Sequence, residues 1–501
     1  MLRSLVAALL FALISANVHA ATFQVTRLDD PWPNGCLAGD CSLREAMVAA
    51  AENDPAGPTD TILLPTGTIT LTLSDLNVVD QRLRVQGAGS SLTRVVQTQE
   101  FTDTFHTTAG ADLVVVGMSL DSFRAPVNGC YAGSQGVPLF IEDVVFEGGS
   151  LQACGTTQVR HSELLTSLYV NGGQTVVEDS TIRDLVQQGG MSSTLTLRRV
   201  LVDGLLDPDN PNETEVALIN GALVIEDSTI THIDVRAGGN PASTLAMRRV
   251  HYVDNAGPVR TDTAVTVTIE DSLFENNTVR AVYASGGAEW TISGSSFVNN
   301  RVDGNAGGAI VLEEDTTLRI RNSTFSGNSF TVEAAADGAR GAAIGFRNGT
   351  GAQLILTHVT LVRPNTMPVG VVGTVIGGHG NGVTLTLSNS IVRGTCGMNT
   401  SVLFNNAGNI ESVGDTCGLD PETNRINVSV ASLALGSLAN NGGPTPTHLP
   451  ATGSLAIDRA STPQCLPTDQ RGYARPGGVR CDVGALEADG DDTLFASGFE
   501  S

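Results

Sequence analysis

Lysine is absent, and all 28 basic residues of this 501-residue chain are arginine. That excludes a Schiff-base lysine and the lysine of a nucleotide-binding P-loop. Aromatic residues make up only 4%, with 2 Trp and 5 Tyr, and histidine occurs 8 times. No C-x-x-C spacing is present, so a zinc site is not expected, and no G-x-S-x-G elbow offers a serine nucleophile. Basic charge is scarce as well: 52 acids against 28 bases leave a formal net charge of −24. Such acidity argues against nucleic acid, and against an anionic polysaccharide, as unassisted partners.

One apolar run stands at the start. Arg3, the stretch "LVAALLFALI" and the small-residue exit Val18-His19-Ala20 have the form of a secretory signal cleaved after Ala20. The run is shorter than the roughly 20 residues that span a bilayer. Nothing later is apolar enough to cross, so no integral membrane segment is expected in the mature chain.

Cysteines, 8 in all, fall as four sequence-local pairs: Cys36/Cys41, Cys130/Cys154, Cys396/Cys417 and Cys465/Cys481. An even count in an exported chain favours disulfides. Sequence alone leaves the connectivity open; local pairing is expected because a rigid rod keeps distant cysteines apart.

The rod follows from a repeat. "LVIEDSTITHI" at 223–233 returns as "LAMRRVHYVDN" at 245–255 and as "VTIEDSLFENN" at 267–277. Aligned on the first member of the charged pair, the phrase recurs at Glu142, Arg160, Glu178, Arg198, Glu226, Arg248, Glu270, Ser293, Arg321, Thr357 and Ser388. Spacings of 18 to 36 residues indicate a solenoid with insertions. Apolar residues precede the pair (Ile225, Met247, Ile269) and follow it four positions on (Ile230, Tyr252, Phe274). Each half alternates with period 2, as a half-buried strand does. Across the pair the phase slips by one residue, which a continuous strand cannot do without turning its core side outward. A corner is therefore expected there, with both side chains of the pair pointing out.

Short strands between corners, Gly- and Asn-rich turns and no long helices predict an all-β fold, a right-handed parallel β-helix with a small N-terminal helical cap. Stacking identical charges would be destabilising. Alternation from Glu142 to Glu270 puts an arginine between successive acids, and a skipped coil would bring like charges together. Phe274, Phe297 and Phe325 should stack inside. Asn277, Asn300 and Asn328 recur at the next turn, where a left-handed backbone and bonds to the coils above and below are expected.

At the N-terminus "CSLREAMVAAAEND" predicts a helix with Ser42 and Glu45 as a capping box and Leu43, Ala46, Met47 and Ala50 facing the first coil. These residues resemble the CSLREA domain found at the start of exported bacterial β-helix proteins; the match covers roughly 22–75. The elements Asp469, Arg471, Gly472, Cys481, Asp482, Gly484, Ala485 and Glu487 resemble the choice-of-anchor family of bacterial surface proteins. The "GGAI" at 307–310 and "GAAI" at 341–344, alternating with "FENN", "FVNN" and "FSGN", are similar to the repeats of polymorphic outer-membrane proteins. The resulting division is a signal at 1–20, a cap at 21–80, coils at 81–430, a C-terminal cap at 431–488 and a tail at 489–501. "LFASGFE" in that tail looks like a short ending of exported proteins from Gram-negative bacteria. The resemblances imply a secreted protein or one on the outer surface of such a bacterium.

For function, a binding or adhesin-like surface component with a polysaccharide or cell-surface ligand is the leading expectation. The alternatives are a polysaccharide lyase or hydrolase, by analogy of fold alone, and a passive coat. Candidate carboxylates are Asp207 and Asp209 with Glu213, and Glu313, Glu314 and Asp315; Arg236 or Arg280 could assist only if brought close. A solvated Pro/Asx turn and an exposed hairpin tip are the plainer readings of the two groups. No cofactor is certain, although an acidic cluster of this kind could take calcium. His161, His251 and His358 fall on outward positions and are expected at the surface. No catalytic residue is assigned.

Overall fold

The computed structural model describes residues 19–488 except 54–56, 132–134, 191, 205–214, 303–307, 332–340, 348–349, 365–370, 373, 379–381, 399–401 and 406. Most of the signal segment, the tail from 489, the group Asp207, Asp209 and Glu213, and Gly307 lie outside the described residues.

The chain winds as a right-handed parallel β-helix. A typical coil has three strands, as in Gln174–Glu178, Thr181–Ile182 and Val186–Gln188, and each strand pairs in parallel with its counterpart one coil on. Ile225, Met247 and Ile269 are in register and no more than 1% exposed, so they line one interior. Tyr252, Phe274, Phe297 and Phe325 form an internal aromatic column with ring centroids 5.4, 4.7 and 4.6 Å apart. The coil stacking starts in the N-terminal segment, where Asp60–Leu63 lies between Thr22–Gln24 and Arg82–Gln86.

The corner between the first and second strands has a single cause. The second member of each pair is left-handed: φ is 50° at Asp179, 53° at Arg199, 51° at Asp227, 51° at Arg249 and 51° at Asp271. One such residue turns the chain and slips the strand phase by one, which is the slip the apolar pattern requires. Asp and Asn tolerate this conformation better than most residues. Where a serine stands two positions after the pair's first member, as at Ser180, Ser228 and Ser272, it secures the corner. Ser272 Oγ donates to Glu270 O (2.7 Å) and accepts from Val250 N in the coil before it (3.1 Å).

The asparagine column differs from expectation in one respect. Asn255, Asn277, Asn300 and Asn328 are buried and bond up and down the stack, with Asn277 Nδ2 2.7 Å and Asn300 Nδ2 2.9 Å from the next amide oxygen. The left-handed residue, however, is the one before each: Asp254, Asn276, Asn299 and Gly327. The column asparagines instead bond to strand carbonyls, such as Asn300 Nδ2 to Phe274 O at 3.0 Å.

Charges alternate at the corner as the sequence pattern implies. Arg198 bridges Glu178 (2.9 Å) and Glu226 (3.1 Å), and Arg249 Nη2 donates to Asp227 (2.7 Å). Beyond Asp271 the corner residues become Gly294, Asn322, His358 and Asn389, because residues 441–487 lie against them. Thr445 Oγ1 donates to Gly294 O (2.9 Å), Asn322 Nδ2 to Thr468 O (2.8 Å) and Gly484 N to Asn389 O (2.8 Å). A charged pair buried there would lose its hydration without a partner. His358, expected at the surface, is therefore fully buried, with Nδ1 3.2 Å from Gly484 O and Nε2 3.1 Å from Asn389 Nδ2.

Both ends are closed. The helix Leu43–Asn53 buries Leu43, Ala46, Met47 and Ala50, and Ser42 N donates to Glu45 (2.7 Å). Arg44 anchors it through Asp30 (2.7 Å) and Ser74 O (2.7 Å). In the C-terminal segment Arg475 pairs with Glu487 at 2.7 Å, both nearly without exposure, and Asp469 pairs with Arg471 at 2.8 Å. The charged motif residues there hold the segment's own turns together. The disulfides are Cys36–Cys41, Cys130–Cys154, Cys396–Cys417 and Cys465–Cys481. Among the described residues no helix is long and apolar enough to cross a membrane.

Candidate ligand-binding face

The third strand of most coils carries a short buried-x-buried pattern, with an apolar residue first. Leu151-Gln152-Ala153, Leu168-Tyr169-Val170 and Val186-Gln187-Gln188 are consecutive examples. Alternation along a strand sends the flanking residues inward and the middle one out. Parallel pairing then aligns the middle residues as one row: Asn77, His106, Asn128, Gln152, Tyr169 and Gln187. Each is a different coil's contribution, and successive members are separated by the inter-strand spacing of about 4.8 Å. All six have uncharged or weakly basic hydrogen-bonding groups. Neighbours hold several in place: Asn128 Nδ2 donates to Asp103 (2.8 Å), and Gln152 Nε2 donates to Ser150 Oγ (2.8 Å).

Further along, the row becomes Ala217, Arg236, Arg260, Tyr283 and Val311. Its arginines are neutralised locally. Arg236 is bound to Asp262 and lies 3.8 Å from Glu215, while Arg260 lies 3.4 Å from Glu215 and 3.5 Å from Asp262. Beside them Asp234 is opposite Glu215 on the neighbouring strand. Burial pushes the Asp234 carboxyl up from the ordinary range, Arg260 lowers it and Glu215 raises it.

The sequence candidates divide across this face. Glu313 is half-buried, takes a hydrogen bond from Tyr283 and lies 3.5 Å from Arg347. Burial first, and then that hydrogen bond, push the Tyr283 hydroxyl up to about 12. The plainer reading of an exposed tip is thus incorrect for Glu313, whose carboxylate is half-buried between Tyr283 and Arg347. It holds for Glu314 and Asp315, which are exposed, Asp315 in a left-handed turn with φ 54°. Arg280 stacks on the Tyr283 ring at 4.7 Å and so joins the Glu313 group; Arg236 joins Glu215 instead. His161 and His251 are at the surface, 3.8 Å from Glu142 and 3.4 Å from Glu275.

Among the described residues one cluster has the side-chain types that ligate metals. Asp75, Asp103 and His106 each offer one ligand atom, all within 4.8 Å of one another. An imidazole in the set and Arg124 3.5 Å from Asp103 make this unlike the all-oxygen shell that calcium takes.

Sequence reasoning missed the six-residue row. The signal is only a short triplet whose third residue is polar in some coils (Thr107, Gln188), and the varying turn before it hides its period.

No protein-family model matches the chain, and no curated protein sequence does so. Among solved structures it is similar to the catalytic domain of a GH87 alpha-1,3-glucanase in complex with nigerose. There the identity is 11%, the alignment covers 79% of this chain and 67% of that one, and the TM-score is 0.33. Pectate lyase Pel9A shares 12% identity over 94% of this chain and 98% of that one, with a TM-score of 0.23. A DFA-IIIase variant from Arthrobacter chlorophenolicus A6, in complex with DFA-III, shares 10% over 82% and 99%, with a TM-score of 0.26.

Proposed function

We propose that this chain is an exported surface or secreted rod that binds a neutral polysaccharide along the outward row of its third sheet. The supporting observation is that row itself: Asn77, His106, Gln152, Tyr169 and Gln187 are in register and at least partly exposed, with the buried Asn128 between His106 and Gln152. A line of amide, imidazole and phenol groups at a constant step matches a polymer of hydroxyl-bearing units. The net charge of −24 and the acid-paired arginines beside the row favour a neutral polymer over a polyanion. In this reading 21–80 is a CSLREA cap and 431–488 a choice-of-anchor cap, and the signal at 1–20 takes the chain out of a Gram-negative cell.

The test is retention of the secreted protein on a panel of immobilised neutral and acidic polysaccharides, with the products assayed for new chain ends. Retention on a neutral polymer, reduced at least about fivefold by Tyr169→Ala with Gln152→Ala, is expected, since each lost hydrogen bond contributes about 0.5–1.5 kcal/mol. Unchanged retention in that double variant would falsify the assignment of the face.

A second reading, hydrolysis of the bound glycan, rests on Asp234. A carboxyl raised by burial beside a second carboxylate is the arrangement that separates an acid from a base. New reducing ends that disappear in Asp234→Asn would select it.

A further inference from the structure

The segment Asp30-Pro31-Trp32-Pro33-Asn34 holds a tryptophan out to solvent, 80% exposed, in a chain whose other tryptophan, Trp290, is fully buried. The backbone there is stiff. Pro31 and Pro33 fix their own φ, and each restricts the residue before it, which for Pro33 is Trp32 itself. Asp30 is buried and accepts from Arg44 (2.7 Å), Thr72 N (3.0 Å) and Leu73 N (2.9 Å), and Asn34 N donates to Glu45 (3.1 Å). An aromatic side chain exposed on so rigid a mount loses little conformational freedom when a ligand covers it.

Trp32 lines a cavity of about 530 Å³, within the range of about 300–1,000 Å³ usual for small-ligand sites. Met47, Val48 and Ala51 on the helix Leu43–Asn53 form its apolar side, and Asp75 and Asn77 its polar one. Arg44 fixes the polar side by donating to Ser74 O (2.7 Å) and Asp75 O (3.3 Å), and Asp103 N donates to the Asp75 carboxylate (2.8 Å). Asn77 belongs to two places at once. It lines the cavity, and it is the first member of the outward row on the third sheet. Its strand, Leu76–Val78, is also the first of that sheet, and the helix packs on it. A glycan lying along the row therefore meets a wall at Asn77, made by the helix and Trp32.

We infer, resting on the reading of that row, that the cavity takes the terminal ring of the neutral polysaccharide, so that the protein holds a chain by its end. One face of a pyranose ring presents C–H groups, which pack on an indole and on aliphatic side chains such as Val48. Its rim of hydroxyls meets the Asp75 carboxylate and the Asn77 amide. Apolar walls with a few fixed polar groups are what such a ligand requires. Arg44 is already paired with Asp30, while Glu52 and Asp75 both line the space, which disfavours a ring that bears a carboxylate.

Acrylamide quenching of tryptophan fluorescence tests this in the full chain, since the buried Trp290 is out of the quencher's reach. The probes are cellohexaose, laminarihexaose, maltohexaose, mannohexaose and xylohexaose. Saturable protection of Trp32 by at least one is expected, lowering the quenching slope at least about twofold, with calorimetric affinity falling at least about tenfold in Trp32→Ala. Trp32 is exposed, so that variant should melt with the wild type. At equal mass the hexaose should protect at lower concentration than its parent polymer, because it has more ends; protection that follows mass alone means interior binding and overturns the proposal. No protection by any hexaose overturns it as well, and leaves the row reading standing if polymer retention still falls in Tyr169→Ala with Gln152→Ala. Equal protection in the wild type and that double variant keeps the cavity as a sugar site and removes the row reading alone. Quenching that weakens with rising protein concentration in the absence of sugar marks a second copy as the occupant, which also overturns the proposal.

Discussion

Acidification should weaken the contribution of His358 to holding the C-terminal segment on the coils, and the difference between wild type and a His358 variant measures it. Its imidazole is fully buried under Gly484, and burial, followed by the Arg475 charge, lowers it from 6.5 to about 3. A depressed histidine contributes stability that is complete above its unfolded value and is lost as pH falls toward its folded one, here from about 6.5 toward about 3. Each pH unit inside that window costs about 1.4 kcal/mol, so going from pH 6.5 to pH 4.5 costs about 2–3 kcal/mol. Asp482 works in the opposite sense. Burial raises it to about 6, so below that value it gains stability relative to the unfolded chain, until about pH 4. The comparison must therefore be between the wild type and His358→Gln. Hydrogen exchange of the amides at Gly484 and Ala485, corrected for intrinsic rates, reports the opening free energy of this segment. The wild type should show the steeper decline, with the two proteins converging at low pH. Parallel profiles from pH 6.5 to 4.5 would mean that His358 is not held neutral there, and the explanation of the altered corner residues would be wrong.

Other consequences can be checked more briefly. Arg198→Glu should destabilise by about 2 kcal/mol and Arg198→Ala by about 1, because two half-exposed ion pairs are lost and in the first case become repulsive. The gap should close in high salt; equal denaturation midpoints for the two at low salt would remove the charge ladder as a source of stability. Asn300→Ala should cost about 2–4 kcal/mol in urea denaturation, since Phe274 O, Asn277 N and Asn328 Oδ1 lose their bonds in a buried column. A loss below half of that would mean water replaces the amide. Phe297→Ala should cost about 3–5 kcal/mol by opening a cavity between Phe274 and Phe325.

The coil was readable because its determinants are local and repeated. Ile225, Met247 and Ile269 share a face by spacing alone, and the one-residue slip at Asp227, Arg249 and Asp271 demanded a turn that a single left-handed residue makes. The capping box at Ser42 and Glu45 is equally local. His358 was misplaced because its environment comes from Gly484, 126 residues away, and no period in the coils encodes that contact. The change of corner chemistry from Asp271 to Gly294 and Asn322 was visible in the sequence, but its cause was not. Gly294, with φ 62°, sits so close to Asp271 that a side chain there would collide with its carboxylate, while Thr445 bonds to its carbonyl. Glu313 was placed at an exposed tip because Arg347 and Tyr283 belong to other coils. The outward row was missed, since it draws one residue from each of several coils separated by turns of unequal length.

The account stands on successive floors that alternate in charge, and removing floors measures it directly. Deleting residues 245–266 joins Thr244 to Val267 in register and places Glu226 beside Glu270 and Asp227 beside Asp271. Deleting 223–266 joins Ala222 to Val267 and places Arg198 beside Glu270 and Arg199 beside Asp271. Both proteins should fold with the parent's β signature, and the shorter one should melt higher than the longer one in low salt. Loss of folding in both, or a higher melting temperature for the single-floor deletion, would contradict the stacked, charge-alternating coil.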